Sequence, residues 1–265
     1  MKPLPETINH YRSSNSKGFT LIELLLALLV GSIVMLGVSG LLQSSAKAHN
    51  RVASARLLHE DTDFGSTMLK QQIGQIGYRG LINDLVGSRA LPVPDQAFIF
   101  PEDAGNWVAG QILKADNTSL TFRYSGASTE TDDADGSILS CTGESIDSMT
   151  VVETTIRLQD GSVICSSQGL NEIIMGGSNG VLIEQMLIEI GVDDDNNFSI
   201  DRMVPASTAV ETDFLNARSI RLKLLAASED RAIDHHQRYI FNGTEITSTD
   251  NRIRKEVVIA MAIRN

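Results

Sequence analysis

Lys17-Gly18-Phe19-Thr20-Leu21-Ile22-Glu23 leads straight into nineteen residues without a charge, Leu24–Leu42, LLLALLVGSIVMLGVSGLL. At ~1.5 Å of rise per residue such a helix spans roughly the ~30 Å hydrocarbon core of a bilayer. Helices in globular cores rarely stay apolar all round for this length, so a membrane span is the expectation. A secretory signal has an apolar region of only ~7–15 residues and a small-residue cleavage site after it. This run is longer and no clear A-x-A site follows, so the segment is expected to stay attached. Lys2, Arg12 and Lys17 precede it, which holds the leader in the cytoplasm and sends the remainder to the periplasm. Glu23 stands just inside the apolar stretch. A carboxylate there costs several kcal/mol if unpaired in lipid, so it needs a partner, a function, or a route back to interfacial water.

The 265 residues are 42% hydrophobic and 21% charged, ordinary globular composition with room for one or two domains. The formal net charge is −11. Residues 1–80 carry eight Lys or Arg against five acids, so their surplus of +3 leaves −14 on the rest. A body this acidic is a poor candidate for gripping nucleic acid through its phosphates.

No proline occurs between Pro5 and Pro92, so the helix can continue past Leu42. Leu57, Leu58, Phe64, Met68, Leu69, Ile73 and Ile76 recur at helical spacing, and charged residues take the other faces. The spacing predicts an amphipathic helix packed on the chain's own sheet domain and ended by Gly74, Gly77 and Gly80, about 80 Å long in all. Pro92, Pro94 and Pro101 mark a loop-rich connector. Strand-like runs follow at Ser119–Tyr124, Met149–Leu158, Val181–Val192, Ser219–Ala226 and Glu256–Arg264. No second helical pattern suggests βαβ units. The expected class is α+β: a long N-terminal helix against an antiparallel sheet body. The expected divisions are a leader, 1–18, a membrane helix, 19–42, its amphipathic continuation, 43–80, and a periplasmic β-rich body, 81–265.

Cys141 and Cys165 are the only cysteines. A bridge between them would close a loop of ~25 residues and stabilise by roughly 3 kcal/mol. The alternatives are two free thiols or half a metal site; a periplasmic body favours the disulfide. Asp193-Asp194-Asp195-Asn196-Asn197-Phe198-Ser199-Ile200-Asp201 is the one stretch with a metal-like pattern. Laid on an EF-hand, Asp193, Asp195, Asn197, Ser199 and Asp201 fall on ligand positions, but Phe198 replaces the required Gly and Val204 the closing Glu. A solvated turn between two strands is the preferred reading, and no metal or cofactor is expected. His235-His236 reads as a surface pair. No G-x-S-x-G, H-E-x-x-H or phosphate-cradling loop is present, so no catalytic residues are assigned and an enzyme is disfavoured.

Lys17 through Leu25, KGFTLIELL, resembles the type IV prepilin signature. The resemblance implies that a membrane prepilin peptidase cuts between Gly18 and Phe19 and N-methylates Phe19. Glu23, at the fifth mature position, would then neutralise the Phe19 amine of a neighbouring subunit during assembly. The order of features in the body resembles the PilW family of minor pilins. These are Ile76-Gly77-Tyr78-Arg79-Gly80, Asp135-Gly136 before Cys141, then Cys165, the acidic stretch Gly191–Asp201 with Arg202-Met203-Val204-Pro205-Ala206, Ala217–Leu225, and Arg252–Asn265. That family's acidic stretch carries glycines that this chain lacks. The likeness implies a low-abundance subunit that primes a type IV pilus, of the kind used in adhesion and twitching motility. It would sit in a tip complex with other minor pilins, the major pilin and a large tip adhesin, driven by an ATPase and an inner-membrane assembly platform. The rival in the same class is a type II secretion pseudopilin of the GspJ type. Loss of secretion with pili intact would favour it. A membrane-anchored periplasmic binding domain or enzyme is the rival of another class, and an uncleaved N-terminus would favour that. The −14 charge argues against a DNA-uptake pilin.

Overall fold

The computed structural model describes residues 18–80, 100–103, 106–129, 133–177 and 180–263. The leader with Lys17, the connector at Pro92 and Pro94, and the final Arg264 and Asn265 lie outside the described residues. The architecture is α+β, a long N-terminal helix with antiparallel sheets. Helix α1 runs Leu21–Ile73. Strands β1 (Leu113–Ala115), β2 (Ser119–Ser125), β3 (Val151–Gln159), β4 (Ser162–Ser167) and β5 (Leu170–Gly176) form an antiparallel meander in that order. Strands β6 (Val181–Val192), β7 (Arg202–Pro205), β8 (Ala217–Ser228) and β11 (Arg254–Ala262) form a second sheet in the order β11-β8-β6-β7. A short helix, α2 (Glu211–Leu215), lies between β7 and β8. β9 (Arg238–Phe241) and β10 (Thr244–Thr247) pair as a separate hairpin.

The chain divides into two compact units, Met1–His49 and Asn50–Asn265. In the first, the large apolar side chains from Leu21 to Leu42 are all exposed. The two hydroxyls of that stretch turn inward on the helix: Ser32 Oγ donates to Leu29 O and Ser39 Oγ to Met35 O, each at 2.8 Å. Neither hydroxyl is left bare, as a lipid environment requires.

In the second unit the expected helical stripe is present but rotated. Leu58, Leu69, Ile73 and Ile76 are buried, joined by Thr62, Gly65 and Gln72. Leu57 and Phe64 face solvent, because at ~100° per residue they lie roughly 100–120° round from Leu58. Polar residues complete the seam because they are satisfied or small. Thr62 Oγ1 donates to Leu58 O at 2.7 Å, and Gly65 leaves room for Met175 on β5. Asp61 Oδ2 accepts the Gly176 N–H at 2.9 Å, and Lys255 of β11 donates to Thr62 Oγ1 and Asp63 Oδ1. Burial raises the Asp61 carboxyl, and the Gly176 N–H partly offsets that. The helix stops at Ile73, short of Gly80: Gln75 and Ile76 tighten to bonds on Gln72 O and Ile73 O, and left-handed Gly77 (φ 74°) then turns its N–H onto Arg123 O at 3.1 Å.

Three hairpins close with two-residue turns whose central residues both have positive φ. They are Asp160-Gly161 between β3 and β4, Gln168-Gly169 between β4 and β5, and Asn242-Gly243 between β9 and β10. Such turns match the right-handed twist of the strands they join. The two sheets are tied where Ile183 N–H donates to Gly161 O at 2.8 Å.

Stacked cations fasten the rings of Phe100 and Trp107, ahead of β1, to the first sheet. Arg79 and Arg123 flank Phe100 at 5.2 and 5.3 Å, and Arg123 and Lys114 flank Trp107 at 4.4 Å each. The Trp107 indole N–H donates to Glu153 at 2.8 Å. Arg123 is buried and donates to Pro101 O and Gln111 O.

A Cβ on Gly65 would lie 2.8 Å from the Met175 Cβ and 2.6 Å from its Cε. Gly65→Ala gains up to ~1 kcal/mol of helix propensity but overpacks the seam at a cost of ~1–3 kcal/mol. We expect a net loss of stability of about 1 kcal/mol by denaturant titration.

Candidate functional site

The helix start is built from its own sequence. Thr20 caps α1, with the N–H groups of Glu23 and Leu24 donating to Thr20 O at 3.1 and 3.2 Å. Glu23, three residues on, reaches back: its Oε2 lies 3.4 Å from both Thr20 N and Thr20 Oγ1. This is the Thr-x-x-Glu capping arrangement, which satisfies a donor the helix cannot. The signal was legible in the sequence, and it gives Glu23 a local task besides any partner in another subunit. Gly18 and Phe19 precede the helix and are exposed, with nothing within 4 Å of the Gly18 Cβ position.

Cys141 and Cys165 form a disulfide, with Cα atoms 6.3 Å apart and both residues buried. It ties the loop 139–146 to β4. The same loop is held to the end of α1 by Gln75 Nε2 donating to Leu139 O at 3.1 Å. Reduction should lower stability by roughly 3 kcal/mol, about that of a ~25-residue loop. Denaturant titration with and without dithiothreitol measures it.

The acidic stretch forms the loop from β6 to β7. One carboxylate oxygen each of Asp193, Asp195 and Asp201 come within 4.8 Å of one another. Phe198, at the position of the EF-hand glycine, takes the left-handed backbone that glycine would supply (φ 66°). Val204 lies in β7, paired with Ile190, and offers no ligand oxygen from its side chain. The carboxylates are engaged with nitrogen donors. Asp193 is fully buried and accepts from the N–H groups of Asn197 (3.1 Å) and Phe198 (3.0 Å) and from Arg218 Nε (3.1 Å). Asp195 accepts from Asn197, and Asp201 from the Asp194 N–H at 2.8 Å. Arg202 forks onto Asp194 at 2.7 and 2.9 Å and reaches Asp213 of α2 at 2.5 Å.

Burial pushes the Asp193 carboxyl up, but Arg218 and the two N–H donors outweigh it and hold it below the usual carboxylate range. Arg202 depresses Asp194, and Asp213 is lowered by the Val210 N–H as well as by Arg202. Nothing local marks these arginines as partners, since Arg218 lies 25 residues from Asp193. His235 and His236 are exposed, as a surface pair would be.

Carboxyls held below their ordinary pKa of ~3.9 stabilise the fold above that pH and lose the contribution as pH falls through the folded-state value. The melting temperature of the full chain in detergent should fall from pH 5 to pH 3. Arg218→Gln should lower it at pH 7 and flatten the acid limb. Calcium and magnesium should leave it equal, because the cation positions are already served by guanidinium and N–H groups.

Two family descriptions match this chain. "Prokaryotic N-terminal methylation motif" matches residues 13–39, and "Type IV Pilus-assembly protein W" matches residues 142–265. The body from residue 142 onward is thus similar to the PilW family, and the N-terminus carries the methylation motif of type IV pilin-like proteins. The match to the body takes in Cys165, the β6–β7 loop, β8 and the C-terminal strand, and begins one residue after Cys141. Among solved structures, the chain is similar to the "Type IV-like pilin TTHA1219 from Thermus thermophilus". Identity is 14%, covering 78% of this chain and 95% of that one, with a TM-score of 0.48. No curated protein matches. The family is one of pilus proteins that act with other pilus components, and the methylation motif with the long apolar helix fits a membrane-anchored pilin.

Proposed function

We propose that this protein is a minor pilin of the PilW kind that primes type IV pilus assembly, in a tip complex with other minor pilins. The observation that carries the reading is the pairing of a processing signature with an all-round apolar helix on a PilW-type body. The prepilin peptidase cuts between Gly18 and Phe19 on the cytoplasmic face and methylates the Phe19 amine. Phe19–Leu42 then holds the subunit in the inner membrane, with the body in the periplasm. On assembly, the helix leaves lipid for the apolar core of the filament, driven through the membrane platform protein and its ATPase.

The Phe19 amine enters that core as a cation, and Glu23 of a neighbouring subunit neutralises it. Two paired buried charges cost far less than either alone, and the pair fixes the axial register between subunits. The body selects the neighbours, which include the major pilin and a tip adhesin.

The N-terminal peptide from native membranes tests processing. It should begin at methylated Phe19, and at Met1 in a strain without the prepilin peptidase. Deleting this gene should abolish or strongly reduce piliation; loss of type II secretion with pili intact would instead mark a pseudopilin. Glu23→Ala removes both the cap and the charge, whereas Glu23→Gln keeps a capping side chain and removes the charge. Both should be cleaved normally, and both should impair assembly. Normal assembly of Glu23→Gln would assign Glu23 to helix capping alone.

A further inference from the structure

The loop between β6 and β7 displays an aromatic ring that nothing in the body encloses. Phe198 is 79% exposed and sits in the left-handed region, which strains a residue with a bulky side chain. One face of the ring lies 5.1 Å from the Arg218 guanidinium, which pins it from below. Ile200 beside it is 46% exposed, and Val210, ahead of α2, is exposed as well. The loop holding the ring is braced at its base by Asp193–Arg218 and by the Asp194–Arg202–Asp213 bridge to α2. A rigidly presented aromatic with an aliphatic neighbour is the usual anchor of a protein interface, because little side-chain entropy remains to be lost on docking.

The charges left unpaired on the loop that carries the ring are of one sign. Arg218 and Arg202 are occupied by Asp193, Asp194 and Asp213. Asp195 and Asp201 are exposed and, among the described residues, have no cationic partner. The position is also specific. Gly180 packs beside Leu57, and β6 runs from there for twelve residues, about 36 Å, before the loop begins. The loop therefore stands at the end of the body opposite Asn50 and Leu57, where the chain enters it.

We propose that Phe198 and Ile200 form a docking knob for another pilus subunit, one that offers an apolar socket edged by Lys or Arg. This rests on the minor-pilin reading above.

The test uses the full chain in its native membranes, with a photo-crosslinking phenylalanine at position 198 and, as control, at exposed Ile240 on the β9–β10 hairpin. Crosslinked peptides are identified by mass spectrometry, and the N-terminal peptide is read from the same preparation. The expected result is a crosslink from position 198, and not 240, to a different pilus subunit at a segment containing Lys or Arg, weakened at high salt. F198G should leave the melting temperature unchanged or higher, because glycine relieves the left-handed strain. It should nevertheless lower piliation at least tenfold, while Ile240→Ala does not. A crosslink to a second copy of this chain or to lipid overturns the proposal, as does normal piliation by F198G. With a processed, methylated Phe19, those outcomes leave the minor-pilin reading standing. An unprocessed N-terminus overturns that reading and the docking knob with it.

Discussion

One helix face organises the body. Leu58, Leu69, Ile73 and Ile76 supply the apolar area of the seam, but its tolerance is set by Gly65, where Met175 approaches too closely for any side chain. Both sheets report to this face. The first reaches it through Met175 and the N–H of Gly176, the second through Lys255 and Met261. The disulfide and Gln75 then bring the 139–146 loop to the same helix end. A shift of α1 along its axis would therefore disturb β5, β11 and the loop together, which is how a long thin element comes to have a fixed register on a sheet body.

Charge is handled differently in the body's interior and at its surface. Half-buried Arg254 and Arg218 and the more exposed Arg202 are engaged by several groups each. Arg254 forks onto Glu184 and Asp250 and lies 5.4 Å from the Tyr239 ring centre, Arg218 holds Asp193, and Arg202 joins Asp194 to Asp213. Breaking one partner of such a set strands the other in a poorly solvated place, so these sets favour one arrangement of loops over its near alternatives. Exposed i,i+4 pairs such as Arg56–Glu60 add little by comparison.

The apolar segment, the long helix and five strands were legible because each is written as a local period: apolar all round, apolar every three or four residues, or alternating. Val181–Val192 matches its strand end to end. Strands β4 and β5 were missed although Asp160-Gly161 and Gln168-Gly169 flank β4. Ser162–Ser167 is short and half polar, and only its turns betray it. The stripe was misplaced at Leu57 and Phe64 because apolar character alone does not say which side of a helix turns inward. Thr62 and Gly65 belong there for hydrogen bonding and closeness, not hydrophobicity. At the N-terminus the processing signature stood in the residues themselves, and so did the Thr20–Glu23 cap, which was overlooked. The arginine bracing of the β6–β7 loop was invisible, since its ion pairs join residues brought together only by the finished sheet.

Trp107 is the chain's single tryptophan, and it lies between two cations with its N–H on Glu153. Light absorbed at the red edge of the near-ultraviolet therefore excites one ring at one place, where Phe100 and Trp107 are fastened to the first sheet. Its emission colour and quenching report the state of that fastening with no label attached. The second sheet and its Arg254 cluster are silent in this channel, so a mismatch between tryptophan emission and far-ultraviolet circular dichroism during unfolding would separate the two halves of the body.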